Sequence, residues 1–242
     1  MKTNKSKNTR KRIPEVKAVL FDLDGVLIET EKETFRFYQK YLKAHHGIVL
    51  PDSAFVYKIG RKSVDFWSDV LTKEQQNSVD VKKLTFLKRQ MFIEHPEKYV
   101  KKIPGVKKLL KMLKASGYKL ALTTQNEKEM MDSMLGWLSI REFFDVILSL
   151  QDISQKKPNP EIYLKAASLL NVPIKKCIVV EDSFDGILAA RRARMTCIAL
   201  QHPYSPPGNA KHAHVIVKKL SYITKSLLEN IIKKKIKTRP LS

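Results

Sequence analysis

The chain has 242 residues, a hydrophobic content of 43% and a formal net charge of +22. That length is enough for one large domain or a core carrying a smaller insert, and the composition argues against a disordered chain. No apolar stretch approaches the roughly 18 to 20 residues that span a bilayer, so no membrane partner is expected.

Residues 1–15 are basic and lack the apolar centre of a secretory signal, and they read as a flexible extension of a cytoplasmic protein. The run Val19-Leu20-Phe21-Asp22-Leu23-Asp24-Gly25-Val26 follows. Its continuous apolar part reads as a buried parallel strand, and in open α/β sheets ligands bind beyond the carboxyl ends of such strands. Side chains two apart in extended chain point the same way, so Asp22 and Asp24 can both reach one reacting group, while Gly25 allows a tight turn. One carboxylate could attack or bind a metal while the other handles a proton.

From Glu31 to about His46, the spacing of Phe35, Tyr38 and Leu42 predicts a helix, with Gly47 as its stop. Pro51-Asp52-Ser53 makes a turn or helix start, Gly60 a break, and Val64, Trp67, Val70 and Leu71 a further amphipathic helix. One long helix is expected from about Lys73 to Ile93, ending before Pro96. Residues 31–100 therefore read as an all-helical insert.

Pro104-Gly105 opens a helix that Gly117 closes. Strands are then expected at Lys119 to Thr124, Asp145 to Leu150, Cys177 to Glu181 and Met195 to Leu200, with an edge strand at His214 to Val217. Helices fill the gaps, one entered through Asn159-Pro160 and one spanning Phe184 to Arg194. This alternation predicts an α/β fold with a doubly wound parallel sheet, its core formed by residues 16–30 and 101–230, followed by a basic tail at 231–242. Cys177 and Cys197 lie in or beside apolar strands and read as reduced packing residues, with no disulfide and no zinc site. His212 and His214 read as surface residues, and Met130, Met131 and Met134 as helix packing.

The strand ends deliver Asp22, Thr124, Glu181 and Asp182 to one sheet edge. Lys156-Lys157-Pro158-Asn159-Pro160 adds a cation at a turn ahead of a helix. Acids, a hydroxyl and a lysine suit phosphoryl transfer.

With these motifs in order, the chain resembles the haloacid dehalogenase superfamily, in the branch of β-phosphoglucomutase-like and phosphoglycolate-phosphatase-like enzymes. The matching pieces are Phe-Asp-Leu-Asp-Gly-Val at 21–26, Leu-Thr-Thr-Gln-Asn at 122–126, Lys-Pro-Asn-Pro at 157–160 and Glu-Asp-Ser-Phe-Asp-Gly-Ile at 181–187. The helical insert matches the family's cap domain.

The resemblance implies a nucleophilic role for Asp22 through an aspartyl phosphate, and general acid and base work for Asp24. It implies Mg2+ held by Asp22, the Asp24 carbonyl and Asp182, with Glu181 as an additional ligand or a support. Thr124 would donate to a phosphoryl oxygen and Lys157, rather than Lys156, would supply fixed positive charge. Thr123 would face away from Thr124. Asp185 would orient Lys157 or support the metal, and Asn126 would hold the phosphate or cap the next helix.

In the cap, Gly60-Arg61-Lys62-Ser63 resembles the loop that faces the active site, which makes Arg61 the candidate substrate contact, with Lys88 and Arg89 behind it. The expected substrate is a small phosphorylated metabolite, a sugar phosphate or a phosphoglycolate-like compound, and the expected state a monomer. Related mutases carry a histidine ten residues after the second aspartate, where this chain has Thr34. The basic ends imply weak polyanion binding, but no zinc finger, aromatic ribonucleoprotein motif or basic heptad segment points to a specific nucleic acid.

Overall fold

The computed structural model describes residues 16–58 and 63–233. The first apolar run forms β1 (Ala18–Phe21), whose four side chains are all buried. The chain leaves it through the short β2 (Ile28–Glu29) and enters α1 (Glu31–His46), α2 (Phe55–Lys58), α3 (Ser63–Val70), α4 (Lys73–Ser78), α5 (Val81–Glu94) and α6 (Pro96–Tyr99). It returns through β3 (Lys101–Lys102), which pairs antiparallel with β2. Alternation then begins: α7 (Val106–Ala115), β4 (Lys119–Thr123), α8 (Lys128–Leu138), β5 (Val146–Leu148), α9 (Glu161–Leu169), β6 (Cys177–Glu181), α10 (Phe184–Arg192), β7 (Thr196–Leu200), β8 (Val215–Val217) and α11 (Lys225–Lys233).

The main sheet has the order β5-β4-β1-β6-β7-β8 and is parallel throughout. From β1 the chain builds outward first on one side and then on the other, so the switch of direction lies beside β1. A parallel sheet is stable only when both faces are covered, and strand alternation sorts its residues between two apolar layers. Val19 and Phe21 of β1 join Ile178, Val180 and Ile198 in one layer, against α7, α8 and α11. Ala18 and Leu20 join Cys177, Val179 and Cys197 in the other, against α9 and α10. Both cysteines are buried and free.

The helices between β2 and β3 close around Phe35, Tyr38, Leu42, Phe66, Trp67 and Leu84. The insert is less self-contained than its sequence pattern suggests, since Phe92 and Val100 belong to the main core. The single helix expected over 73–93 is two. Thr72 and Gln75 form a reciprocal cap that starts α4, and Asp80 caps α5 by accepting from the Lys83 N–H, so the chain restarts at Val79, which is buried in the insert.

Two further readings are corrected. The basic tail does not begin at 231, because α11 runs to Lys233 and Ile231 and Leu228 are buried in the main core. His214 is half-buried and bonded rather than a free surface residue. Its Nδ1 accepts from the Cys197 N–H at 3.0 Å and its Nε2 lies 2.7 Å from Arg191 Nη1. Burial, then the Arg191 charge, pushes it down to about 4, so it serves as a neutral acceptor between β7 and β8. No helix among the described residues is long and apolar enough to cross a membrane.

Leu228 is completely buried, and Leu228→Ala should cost about 2 to 5 kcal/mol of stability, as large-to-small changes in packed cores do. Urea unfolding measures this, and a loss well below 1 kcal/mol would mean that α11 is not part of the cooperative fold.

Candidate active site

At the carboxyl edge, β1 ends in Asp22, β4 in Thr124 and β6 in Glu181-Asp182, while Lys157 arrives from the segment between β5 and α9. Lys157 is buried and donates to Asp22 Oδ1 at 2.5 Å, to Glu181 Oε1 at 2.7 Å and to the Thr123 carbonyl at 3.3 Å. Asp185 is not among its partners, so the orienting role falls to Glu181.

The Glu181 carboxylate is fully engaged. Its Oε1 also accepts from the Tyr163 hydroxyl, and its Oε2 accepts from the backbone N–H groups of Asp182 and Ser183 and from the Ser183 hydroxyl. Burial opposes its charge, but Lys157 and these donors hold it below the ordinary glutamate range. Burial likewise opposes the Lys157 ammonium, and Asp22 and Glu181 overcome this and raise its pKa. Gly186 makes the packing possible, since a Cβ there would lie 1.7 Å from Glu181 Oε1.

The nucleophile candidate behaves differently. Burial, then the neighbouring charges of Glu181 and Asp24, pushes Asp22 up to about 8 despite the Lys157 charge. Asp182 is raised well above its ordinary value by burial and by the Glu181 and Asp22 charges. Acidic groups crowd here beyond what one lysine neutralises.

Asp22, Glu181 and Asp182 each offer a carboxylate oxygen, and these atoms lie within 4.8 Å of one another. An all-oxygen, electron-rich set of this kind fits a hard divalent cation such as Mg2+. Glu181 already receives five donors, which leaves Asp22 and Asp182 as the carboxylates with room for it. Gly25, at φ +72°, brings the turn after β1 so close that a Cβ would sit 1.9 Å from Asp182 Oδ2.

Asp24 accepts from the Thr30 hydroxyl at 2.7 Å and from Asn126 Nδ2 at 2.6 Å. Asn126 therefore neither caps α8, whose cap is Glu127, nor points free into the cleft. Burial raises Asp24 above the ordinary aspartate value, opposed by these two hydrogen bonds. Thr124 is buried, and its hydroxyl oxygen accepts from the Asn126 N–H at 3.1 Å. Thr123 turns away and donates to the Phe21 carbonyl.

These groups line one cleft of about 210 Å³ that contains Asp22, Asp24, Thr124, Asn126, Lys157 and Asp182. Glu181 lies behind it. Arg61 lies outside the described residues. Arg89 bonds Glu127 and Glu129 at 2.8 and 2.6 Å, tying α5 to the start of α8, and Lys88 is near enough for its charge to act on Asp24.

Sequence reasoning missed Thr30, whose only signal is a hydroxyl six residues after Asp24. It also missed Glu29, Tyr204, Ser205 and Asn209, which line the same cleft. The last three lie on the loop between β7 and β8, where nothing local announces a site.

The sheet with its switch point beside β1, and the acid-rich edge around a buried lysine, define a hydrolase of the phosphoryl-transfer type. Residues 19–200 match the family described as haloacid dehalogenase-like hydrolase, and the chain belongs to that family. Several of its relatives are named phosphatases. The chain is 30% identical over 207 residues to the validoxylamine A 7'-phosphate phosphatase of Streptomyces hygroscopicus subsp. limoneus, covering 86% of this chain and 95% of that one. It is 30% identical over 181 residues to the phosphorylated carbohydrates phosphatase of Thermotoga maritima, covering 74% and 82%. The β-phosphoglucomutase structure from Clostridium difficile has the same fold, with a TM-score of 0.70, 24% identity, and 91% and 99% of the two chains covered.

Burial and the neighbouring carboxylates raise both Asp22 and Asp182 above the ordinary aspartate value, so a divalent cation bound by these carboxylates should displace protons. Affinity for Mg2+ should therefore rise with pH across the neutral range. Titration calorimetry in buffers of different ionisation heat detects the released proton. Affinity that is flat from pH 6 to 8 would contradict the acid cluster as the binding site.

Proposed function

We propose that the chain hydrolyses a small phosphomonoester, a sugar phosphate or a phosphoglycolate-like compound, through an aspartyl phosphate on Asp22 with Mg2+ as cofactor. The observation that carries this reading is the placement of Asp22 between the Lys157 ammonium and the Asp182 carboxylate, with Asp24 in the same cleft.

Asp22, the Asp24 carbonyl and Asp182 would hold the cation, which when bound offsets the carboxylate charge and draws the phosphoryl oxygens toward the nucleophile. An Asp22 oxygen attacks phosphorus as the bond to the leaving oxygen breaks. Asp24 gives its proton to that oxygen and then takes one from the water that attacks the phosphoryl group, which frees Asp22. Its burial suits the first role, since it favours the protonated acid, and the Thr30 and Asn126 donors suit the second, since they steady the carboxylate. Lys157 offsets charge on the transferred group, and Thr124 donates its hydroxyl proton to a phosphoryl oxygen.

The names of the relatives support a phosphorylated metabolite as substrate. The resemblance also suggests a mutase reading, but Thr34, buried in α1, stands where those enzymes carry a histidine, so hydrolysis is favoured.

Asp22→Asn should lower phosphate release by at least a thousandfold without lowering the melting temperature. Asp24→Asn should cost an alkyl phosphate at least tenfold more than p-nitrophenyl phosphate in the first step, because nitrophenolate leaves without a proton. Rapid-mixing kinetics with the two substrates reads the difference, and equal losses would remove Asp24 from the acid role.

A further inference from the structure

The strands that carry the carboxylates of the cation site, β1 and β6, share a last ladder bond from the Asp22 N–H to the Val180 carbonyl at 3.0 Å. Beyond it the chain after β1 continues through Asp24 and Gly25, and the chain after β6 through Asp182 and Ser183. The two segments touch where Gly25 meets the Asp182 carboxylate. Carboxylates on both sides repel one another whenever both are charged, so something other than these acids must set the spacing.

The loop between β7 and β8 bridges them. His202 Nε2 lies 2.6 Å from the Gly25 carbonyl, and because a carbonyl only accepts, that nitrogen carries the proton and donates it. Asn209 Nδ2 donates to the Asp182 carbonyl at 2.6 Å. Each anchored carbonyl belongs to a residue whose N–H is also fixed, Gly25 by the Ile28 carbonyl at 2.7 Å and Asp182 by Glu181 Oε2 at 2.9 Å. The peptide planes on both sides of each residue are thereby held, including the one that presents the Asp24 carbonyl.

The segment between the anchors is stiff. Pro203, Pro206 and Pro207 fix φ at three of its six positions. The Ser205 N–H bonds the His202 carbonyl at 3.0 Å, the Asn209 N–H bonds the Pro206 carbonyl at 3.1 Å, and the Tyr204 ring stacks on His202 with centroids 5.1 Å apart. A rigid segment pinned at both ends keeps its attachment points at a fixed separation.

Resting on the reading that Asp22, the Asp24 carbonyl and Asp182 hold Mg2+, we infer that residues 202–209 form a strap that sets the spacing of the two ligand-bearing segments, with His202 and Asn209 as positioning residues for the cation site. Neither is a ligand. Each acts on the backbone of a ligand residue or its neighbour, and outer partners of this kind tune metal affinity by orienting the ligands.

The test is the Mg2+ affinity of the full chain, measured by calorimetry without substrate. His202→Phe keeps a stacking ring but cannot donate, and Asn209→Ala removes the other anchor; each should weaken Mg2+ binding by about tenfold or more. His202→Gln loses the ring but keeps an N–H donor, and it should stay within about threefold of the wild-type protein, an order that packing alone would reverse. Because a strap fails when either end is cut, His202→Phe combined with Asn209→Ala should bind within about threefold of the weaker single variant, rather than at the roughly hundredfold loss that independent sites would give.

Losses that multiply in the double variant, wild-type affinity in Asn209→Ala, or weaker binding by His202→Gln than by His202→Phe would overturn the strap. Asn209→Ala and His202→Gln carry the test if His202→Phe does not fold. Absence of Mg2+ binding in the wild-type protein is a separate failure, that of the cation site itself, and it takes the strap's role with it.

Discussion

The site depends on one buried ammonium. Lys157 sits between Asp22 and Glu181, and no member of this triad would be tolerated alone so far from water. Glu181 is the fixed partner, saturated by donors from Lys157, Tyr163, Asp182 and Ser183. Asp22 is the end of the chain of charges that lines the cleft, with Asp182 beside it. One lysine cannot balance three carboxylates, which is why Asp22 and Asp182 hold their protons more tightly than usual and why the set fits a divalent cation that would replace those protons. In the proposed reaction the same arrangement would set an attacking oxygen and a fixed positive charge beside one phosphoryl group.

The fold supplies the precision. Four separate segments meet at the triad, and each comes from a strand end or a turn fixed by backbone hydrogen bonds within two apolar layers. Gly186 and Gly25 mark where packing is tightest, each leaving only enough space for a carboxylate. The helical insert is joined to this edge by β2 and β3, by the Arg89 ion pairs and by Phe92 in the main core. Thr30, at the junction with the insert, holds Asp24 directly, so the position of the insert and the geometry of the acid are linked through one hydroxyl.

Much of this was legible in the sequence, for a physical reason. Buried parallel strands are continuous apolar runs, and Cys177–Glu181 was located to the residue because a turn precedes it and charged groups end it. Asp22, Thr124, Lys157 and Asp182, which line one cleft, could be placed at the sheet edge because each stands at the end of such a run or beside a proline-bounded turn. The rest depends on approach in three dimensions. Asn126 reads locally as a cap or a phosphate ligand, and only the fold brings Asp24 to its amide. His214 looks like a polar edge residue until β7 is placed beside it. The Tyr204 loop carries no catalytic residue types in a recognisable spacing, and α11 is masked by the lysines that share its amphipathic pattern.

The central claim is that Asp22 attacks phosphorus. It is tested most directly by mixing the protein and Mg2+ with a radiolabelled phosphomonoester that it turns over, quenching in acid within the first turnover, and mapping the labelled peptide. The account predicts label on the peptide that contains Asp22, removed by further incubation with water and absent from Asp22→Asn. Turnover with no protein-bound label at any quench time, or label on another residue, would contradict it.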